Sequence, residues 1–303
     1  MRATLADSIE DALFFCQNFL EGTISLWFLV AANVFLFITS TSSNILVLAA
    51  LSKSSSLHPP SKILLRSLAI TDLCVGFVLE PVFVAYLMSV HYRNFNLCSP
   101  LIHISAVVEM LSCVASLLTM TTISVDRLFA LSLGVRYRYM VTSKRAALAV
   151  LCVWALSICA CASIFWTFDI IGYYSVTVVS LGLIVSTCCY AKIYQKLFYR
   201  QFQIQVSAPN RTAPFLNAAR YRKTVSSALW VYFTLVMCYL PAGIVTGLIV
   251  VYPEENEAPN LMLAWVVTLT LSFLNSTLNP IVYCWKITEV RERVKAIVRQ
   301  IYC

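Results

Sequence analysis

The sequence predicts an all-α membrane protein: a seven-transmembrane-helix bundle followed by a short amphipathic eighth helix. Three observations carry that reading. The 303 residues are 60% hydrophobic and only 12% charged, whereas a soluble chain carries about 25% charged residues. Seven apolar runs reach the roughly 20 residues that a membrane span needs. Lys and Arg are distributed to one side of those runs, as the positive-inside rule requires of a multi-pass protein.

The runs lie at about 26–51, 62–88, 99–131, 146–166, 173–197, 224–251 and 261–285. The first residues carry Asp7, Glu10 and Asp11 instead of a basic stretch before a short apolar core, so a cleaved signal peptide is not expected. The first run is expected to act as the insertion signal and stay. Lys53, Lys62 and Arg66 flank the first inner loop, and Arg127, Arg136, Arg138, Lys144 and Arg145 border the second. The third carries Lys192, Lys196, Arg200, Arg211, Arg220, Arg222 and Lys223, while Lys286, Arg291, Arg293, Lys295 and Arg299 follow the last run. Only Arg2 and Arg93 fall on the other side, where Glu21, Asp169, Glu254, Glu255 and Glu257 add to the N-terminal acids. The expectation is an N-terminus outside and a C-terminus in the cytoplasm. Residues 1–25 form an extracellular N-terminus, 26–285 the bundle, and 286–303 an amphipathic helix with a short cytoplasmic tail. The net charge of +8 is then inner-leaflet bias and gives no reason to expect nucleic-acid binding.

Residues 198–222 are polar and basic with Pro209 and Pro214 and read as a flexible cytoplasmic loop. Beyond residue 285, Ile287, Val290, Val294, Ile297 and Ile301 recur at helical spacing among basic residues, which suits a helix lying on the inner membrane surface in contact with lipid. Cys303 is a candidate for palmitoylation there, with a plain free thiol as the alternative. Two glycosylation patterns, Asn210-Arg211-Thr212 and Asn275-Ser276-Thr277, are read as false positives. The first falls on the cytoplasmic side and the second inside the seventh run.

Ionisable residues inside a span are expensive and point to function. The runs contain Asp72, Glu80, Glu109 and Asp126, together with Asn44, Ser116, Asn275, Ser276 and Asn279. Eleven residues make about three helical turns and eighteen make about five, so Ser116 and Glu109 share a face with Arg127. At 1.5 Å per residue they lie roughly 16 and 27 Å outward of it. A face with an arginine at one end, a hydroxyl midway and an acid beyond should line the interior of the bundle.

On these residues the chain resembles a rhodopsin-like (class A) G-protein-coupled receptor, and the likeness spans almost the whole sequence. Asn44 matches the first-helix asparagine of that family and Asp72 the second-helix acid. Asp126-Arg127-Leu128 resembles its Asp-Arg-Tyr with leucine for tyrosine. Trp154 matches the fourth-helix tryptophan, and Tyr190 the inner tyrosine of the fifth helix. Cys238-Tyr239-Leu240-Pro241 resembles Cys-Trp-x-Pro with tyrosine for tryptophan, and Asn279-Pro280-Ile281-Val282-Tyr283 is an intact Asn-Pro-x-x-Tyr.

The resemblance implies a plasma-membrane receptor whose partners are a heterotrimeric G protein, arrestin, a receptor kinase and an extracellular small molecule or peptide. It also implies a sodium ion held by Asp72, Ser116, Asn275, Ser276 and Asn279 that favours the resting state. The other reading of those five residues is a dry polar cluster. Asp126, Arg127, Val135, Tyr137, Tyr190, Pro241, Asn279, Pro280 and Tyr283 would form the activation switch and G-protein contact. Tyr221-Arg222-Lys223 offers no acid to hold Arg127 from the sixth helix, so appreciable basal activity is expected.

The chain also departs from the family. Ile102 stands where the third-helix disulfide cysteine belongs, and the loop around FWTFDIIG has no cysteine. Cys16 and Cys98 are the two clearly extracellular cysteines and are candidates to pair. Gly182 replaces the usual fifth-helix proline, and Ala115 and Leu235 replace bulkier connector residues. Retinal is excluded, because Phe273 occupies the place of the Schiff-base lysine. The short second outer loop, the missing cysteine and the missing proline resemble the melanocortin-type subgroup, whose pocket is open and acidic. Glu109, Glu80 and Asp169, with Tyr239, Ala242, Thr246 and Phe273, then make up a candidate ligand site for a cationic peptide or amine. A neutral nucleoside or lipid ligand, or an orphan running on basal activity, stands as the alternative. A transporter or channel using the intramembrane acids is the more remote one. The histidines His58, His91 and His103 are scattered and no catalytic constellation appears, so the chain does not read as an enzyme.

Overall fold

The computed structural model describes Cys16 and residues 23–54, 57–162, 168–207, 213–251 and 259–302. The helices are α1 (Thr23–Lys53), α2 (Pro59–His91), α3 (Phe95–Leu133), α4 (Ser143–Ala162), α5 (Phe168–Ser207), α6 (Ala213–Val251), α7 (Pro259–Lys286) and α8 (Thr288–Tyr302). Among the described residues, seven of these are long and apolar enough to cross a membrane. The eighth is short, with Val290, Val294 and Ile297 packed against the bundle. A 3-10 turn at Gly134–Arg136 and one helical turn at Tyr137–Met140 join α3 to α4. The end of the bundle that carries Cys98 is termed the outer end below, and the end that carries Arg127 the inner end.

One expectation needs correction. Of the segment 198–222, read above as a flexible loop, α5 takes the part to Ser207 and α6 the part from Ala213, which leaves 208–212 outside the described residues. Polarity misled the reading. The segment is rich in Gln, Arg and Ala, which lose little side-chain freedom in a helix. Pro214 falls in the first turn of α6, where its missing N–H costs nothing.

Proline also explains the irregularity in α2. Pro81 cannot donate to the carbonyl four residues back, and its ring crowds that carbonyl. The helix responds with a π turn at Val75–Leu79, in which Glu80 N–H reaches Val75 O. The turn carries Gly76 against α1. A Cβ on Gly76 would stand 2.8 Å from Ser40 Oγ and 3.0 Å from Thr41 N, so the close approach of α1 and α2 depends on glycine. At the far end of α3, Gly134 adopts φ 53°, which a residue with a side chain adopts only under strain. At its near end, Asn94 caps the helix by accepting from Leu97 N–H at 3.3 Å. Cys16 is disulfide-bonded to Cys98 in the first turn of α3, with their Cα atoms 6.1 Å apart.

Two apolar clusters fill the interior. The outer one includes Val75, Leu79, Phe83, Leu269 and Phe273. The inner one includes Val47, Leu68, Leu117, Tyr239 and Tyr283. Between them along α1, α2, α3 and α7 runs a layer of buried polar side chains: Ser40, Asn44, Asp72, Ser116, Asn275, Ser276 and Asn279. Gly76→Val is expected to force α1 from α2 just above this layer. The cost should be about 1–3 kcal/mol, as for other overpacked interiors, and should appear as a lower melting temperature of the detergent-solubilised protein.

Candidate functional site

Asp72 is fully buried on α2, one turn before the π segment. Its Oδ1 accepts from Ser116 Oγ of α3 at 3.2 Å and from Ser276 Oγ of α7 at 3.1 Å. Its Oδ2 accepts from Asn279 Nδ2 of α7 at 2.9 Å. One carboxylate thus joins three helices, and Ser40 Oγ of α1 adds a longer bond to the Asp72 carbonyl at 3.3 Å. Pro280 deprives the Ser276 carbonyl, four residues back, of its helical donor. Asn44 Nδ2 of α1 supplies the replacement, donating to Ser276 O at 3.0 Å and to Ser40 O at 2.9 Å. The kinked helix is therefore satisfied from its neighbour, as a membrane interior demands.

Asn275 does not reach Asp72. Its Nδ2 faces Tyr239 OH of α6 at 3.5 Å and Met120 Sδ of α3 at 3.6 Å. Both are long contacts, and they leave Asn275 Oδ1 buried without a hydrogen-bond partner. Asn44 Oδ1 is in the same condition. The layer thus holds one carboxylate, three hydroxyls and two orphaned amide oxygens. This donor set fits a small cation that takes oxygen ligands. Among the described residues, no group of three His, Cys, Asp or Glu could hold a metal, so any cation here would lean on Asp72 and neutral oxygens.

At the inner end, Asp126 is buried and serves three partners. Its Oδ1 accepts from Tyr137 OH at 2.6 Å, and its Oδ2 accepts from Ser61 Oγ at 3.3 Å and pairs with Arg127 at 3.4 Å. The Arg127 side chain is 49% exposed. Val135 projects into open space, 84% exposed, on the turn beneath. Tyr190 of α5 is buried with its ring 5.6 Å from Tyr232 of α6, and the hydroxyls of Tyr232 and Thr187 lie 2.9 Å apart. Tyr283 is buried in the inner cluster. Pro241 lies inside α6, and the carbonyl of nearby Cys238 accepts from Ser272 Oγ of α7 at 3.3 Å.

The outer residues fall into two groups. Glu109 is partly exposed and makes no hydrogen bond or ion pair among the described residues. Thr246 is partly exposed on α6, with Ala242 buried one turn away. Glu80 is fully buried with neither carboxyl oxygen hydrogen-bonded. Phe273 is fully buried too, edge-on to Phe83 at 5.3 Å, and Tyr239 lies beneath them in the inner cluster. The side chain of Asp169 and the whole of Cys303 lie outside the described residues.

Comparison with known proteins agrees with this arrangement. Residues 43–172 and 161–283 match the profile of the 7 transmembrane receptor (rhodopsin family). The chain belongs to that family. The receptor is 27% identical over 281 residues to melanocortin receptor 5 of Mus musculus, covering 89% of this chain and 84% of that protein. The melanocortin receptor 5 of Homo sapiens is 26% identical over the same length and shares. The growth hormone secretagogue receptor type 1 of Rattus norvegicus is 25% identical over 313 residues, covering 91% of this chain and 81% of its own. The receptor is thus a non-enzymatic, multi-pass membrane protein that signals through G proteins.

Sequence reasoning missed three contacts. Asn33, in the run WFLVAANVFLF, is fully buried and donates to Thr270 Oγ1 of α7 at 3.1 Å. A lone amide in an apolar run was the available signal. The Tyr137–Asp126 bond and the Tyr232–Thr187 pair had no local signal, because both join residues whose meeting depends on the packing of the helices. Tyr137→Phe is expected to release the turn Gly134–Met140 from α3, with a loss of about 1.5–3 kcal/mol, as for hydrogen bonds to charged groups. Hydrogen–deuterium exchange should quicken in residues 134–142 of the receptor and stay unchanged in α7.

Proposed function

We propose that this receptor sits in the plasma membrane with its N-terminus outside, binds a cationic peptide or amine at its outer end, and promotes nucleotide exchange on a heterotrimeric G protein. The observation that carries the outer half of this reading is Glu109. It is an acid facing the interior of the bundle, partly exposed and without a protein cation among the described residues. An unpaired carboxylate in so apolar a setting is costly and favours a cation brought from outside. Glu80 and Asp169 are assigned to the same acidic region. Phe273, Tyr239, Ala242 and Thr246 are assigned to its apolar wall and floor. The names of the melanocortin receptors among the relatives support a peptide ligand in that they belong to receptors with a similar chain.

At the inner end, Arg127 is held by its neighbour Asp126. Release of that pair and rearrangement of α6 about Pro241 would open the inner face, a shift between two populated states. Val135, on the turn between α3 and α4, is assigned to the G-protein contact. Tyr137 ties that turn to Asp126, and Tyr190, Asn279, Pro280 and Tyr283 form the remainder of the switch. Arrestin and a receptor kinase are the further cytoplasmic partners. Sodium is assigned to Asp72, Ser116, Ser276, Asn279 and the orphaned oxygen of Asn275. When bound, it supplies the countercharge that Asp72 lacks and favours the closed state. The Cys16–Cys98 bridge is assigned to holding the extracellular segment 1–25 at the mouth of the bundle, and α8 with Cys303 to the inner leaflet.

A second reading has a specific observation behind it. A groove of about 930 Å³ between α1 and α7 is lined almost wholly by apolar side chains, among them Phe28, Phe35, Leu263 and Val267. Such a lining suits a neutral, lipid-like ligand.

Nucleotide exchange on a panel of Gα subunits, in membranes bearing the receptor, separates the two. Basic peptides, amines, nucleosides and lipids are added in turn. Under the first reading a cationic ligand raises exchange, Glu109→Gln abolishes the response, and Arg127→Ala removes exchange altogether. A neutral lipid that acts equally on the Glu109→Gln variant would make Glu109 structural and favour the second reading.

A further inference from the structure

The inner end of α6 is the part that must move if the receptor opens, so what holds it in place sets how often it opens. The sequence offers no acid there for Arg127, because the stretch reads Tyr221-Arg222-Lys223. Arg127 is paired within its own helix. What α6 does meet is aromatic. Trp230 lies edge-on to Trp285 of α7, with ring centroids 5.8 Å apart and planes at 64°. Phe233, one turn along α6, braces Trp230 from the side at 5.9 Å and 85°. Trp285 is the penultimate residue of α7, five positions beyond Pro280. The two rings therefore join the inner end of α7 to α6 at a point eleven residues inward of Pro241.

The neighbouring turn of α6 faces the other way. Residues two apart on a helix point about 200° from one another, and Tyr232 accordingly meets Tyr190 and Thr187 of α5. The α6 end is thus gripped on two flanks without an ion pair among the described side chains. The α5 grip has a polar bond to guide it. The α7 grip is two half-exposed tryptophan rings, 45% and 50% exposed, in contact only while α6 stays close to α7.

We infer that Trp230 and Trp285 form an aromatic clasp that positions the inner end of α6 and sets the basal level of signalling. The clasp takes over part of the task that an acid on α6 would have. It rests on the reading of this chain as a receptor that opens by moving α6. Neither tryptophan needs to touch the G protein. Both act through the position of α6, so the mark of the clasp is a gain of activity when it is broken. Two tryptophans serving only as anchors at the membrane surface would give loss of insertion or stability and no gain.

Basal nucleotide exchange is measured in membranes without ligand and normalised to the amount of receptor present. The variants are Trp230→Ala, Trp285→Ala, the double substitution and Trp230→Phe, with Arg127→Ala as the zero. Edge-to-face aromatic pairs shift a two-state ratio by about 2- to 12-fold. Each single alanine variant should raise basal exchange by that order. The double variant should raise exchange by less than the product of the two single effects, because the singles have one contact in common. Trp230→Phe, which keeps a ring, should return exchange towards the wild-type level. In parallel, spin labels introduced through unnatural amino acids at Ser227 of α6 and Arg293 of α8, the helix that follows α7 directly, report the distance of α6 from the α7–α8 junction without any G protein. A longer mean distance in Trp230→Ala than in the wild type is expected. Unchanged or lower exchange in both alanine variants, with wild type still above Arg127→Ala, would overturn the clasp and leave the receptor reading intact. An unchanged distance distribution would overturn it independently of signalling. If no variant exceeded Arg127→Ala while the distance still lengthened, the clasp would stand and the G-protein reading would fall.

Discussion

The structure is organised around one fully buried acid, Asp72. It lies at mid-bundle, and an ionised carboxylate in such a setting is tolerable only when it is surrounded by donors or offset by a cation. Three donors from α3 and α7 meet it, and they fix the relative height and rotation of α2, α3 and α7. The same layer satisfies the carbonyl that Pro280 frees, through Asn44 of α1. Four helices are thereby registered by polar contacts within about two turns of each other, while the apolar clusters above and below supply bulk and little direction.

That arrangement leaves α6 where polar contacts thin out. From the layer, Asn275 reaches towards α6 only by a long contact to Tyr239 OH. Below the layer α6 depends on rings: Tyr232 against Tyr190, and Trp230 against Trp285. The helices joined through Asp72 form a frame, and α6, with Pro241 inside it, packs against it. At the outer end the frame is closed differently, by the Cys16–Cys98 bridge onto the start of α3. A ligand acting at Glu109 would press on α3 about two turns above Ser116, close to the frame's own polar contacts.

Much of this was legible in the sequence. The seven spans follow from apolar length, and the inward face of α3 from the spacing of Glu109, Ser116 and Arg127. The polar layer follows from the rarity of Asp and Asn in lipid. The resemblance placed five residues around one ion, and the structure brings Ser116, Ser276 and Asn279 to Asp72 while turning Asn275 aside, a matter of rotamer that no spacing fixes. The segment 198–222 was misread because a polar, basic stretch beyond a span was taken as a loop, although its residues favour helix and need only the flanking spans to continue into it. Tyr137 was expected in the switch from the resemblance alone, and its bond to Asp126 was not legible, because it depends on how Gly134 turns the chain. The tryptophan pair was invisible for a similar reason. Each residue alone resembles an interface anchor, and only the packing of α6 on α7 makes them neighbours.

The measurement that bears most directly on this account is the melting temperature of the purified receptor against sodium chloride and against choline chloride at equal ionic strength. It should be made for the wild type and for Asp72→Asn. If the charge of Asp72 organises the frame and sodium completes it, sodium should raise the wild-type melting temperature above that in choline. Asp72→Asn should lose the difference, since it keeps the size of the side chain and removes its charge. Equal curves in the two salts, or a sodium effect that persists in Asp72→Asn, would contradict the account and leave the layer as a dry network of hydrogen bonds.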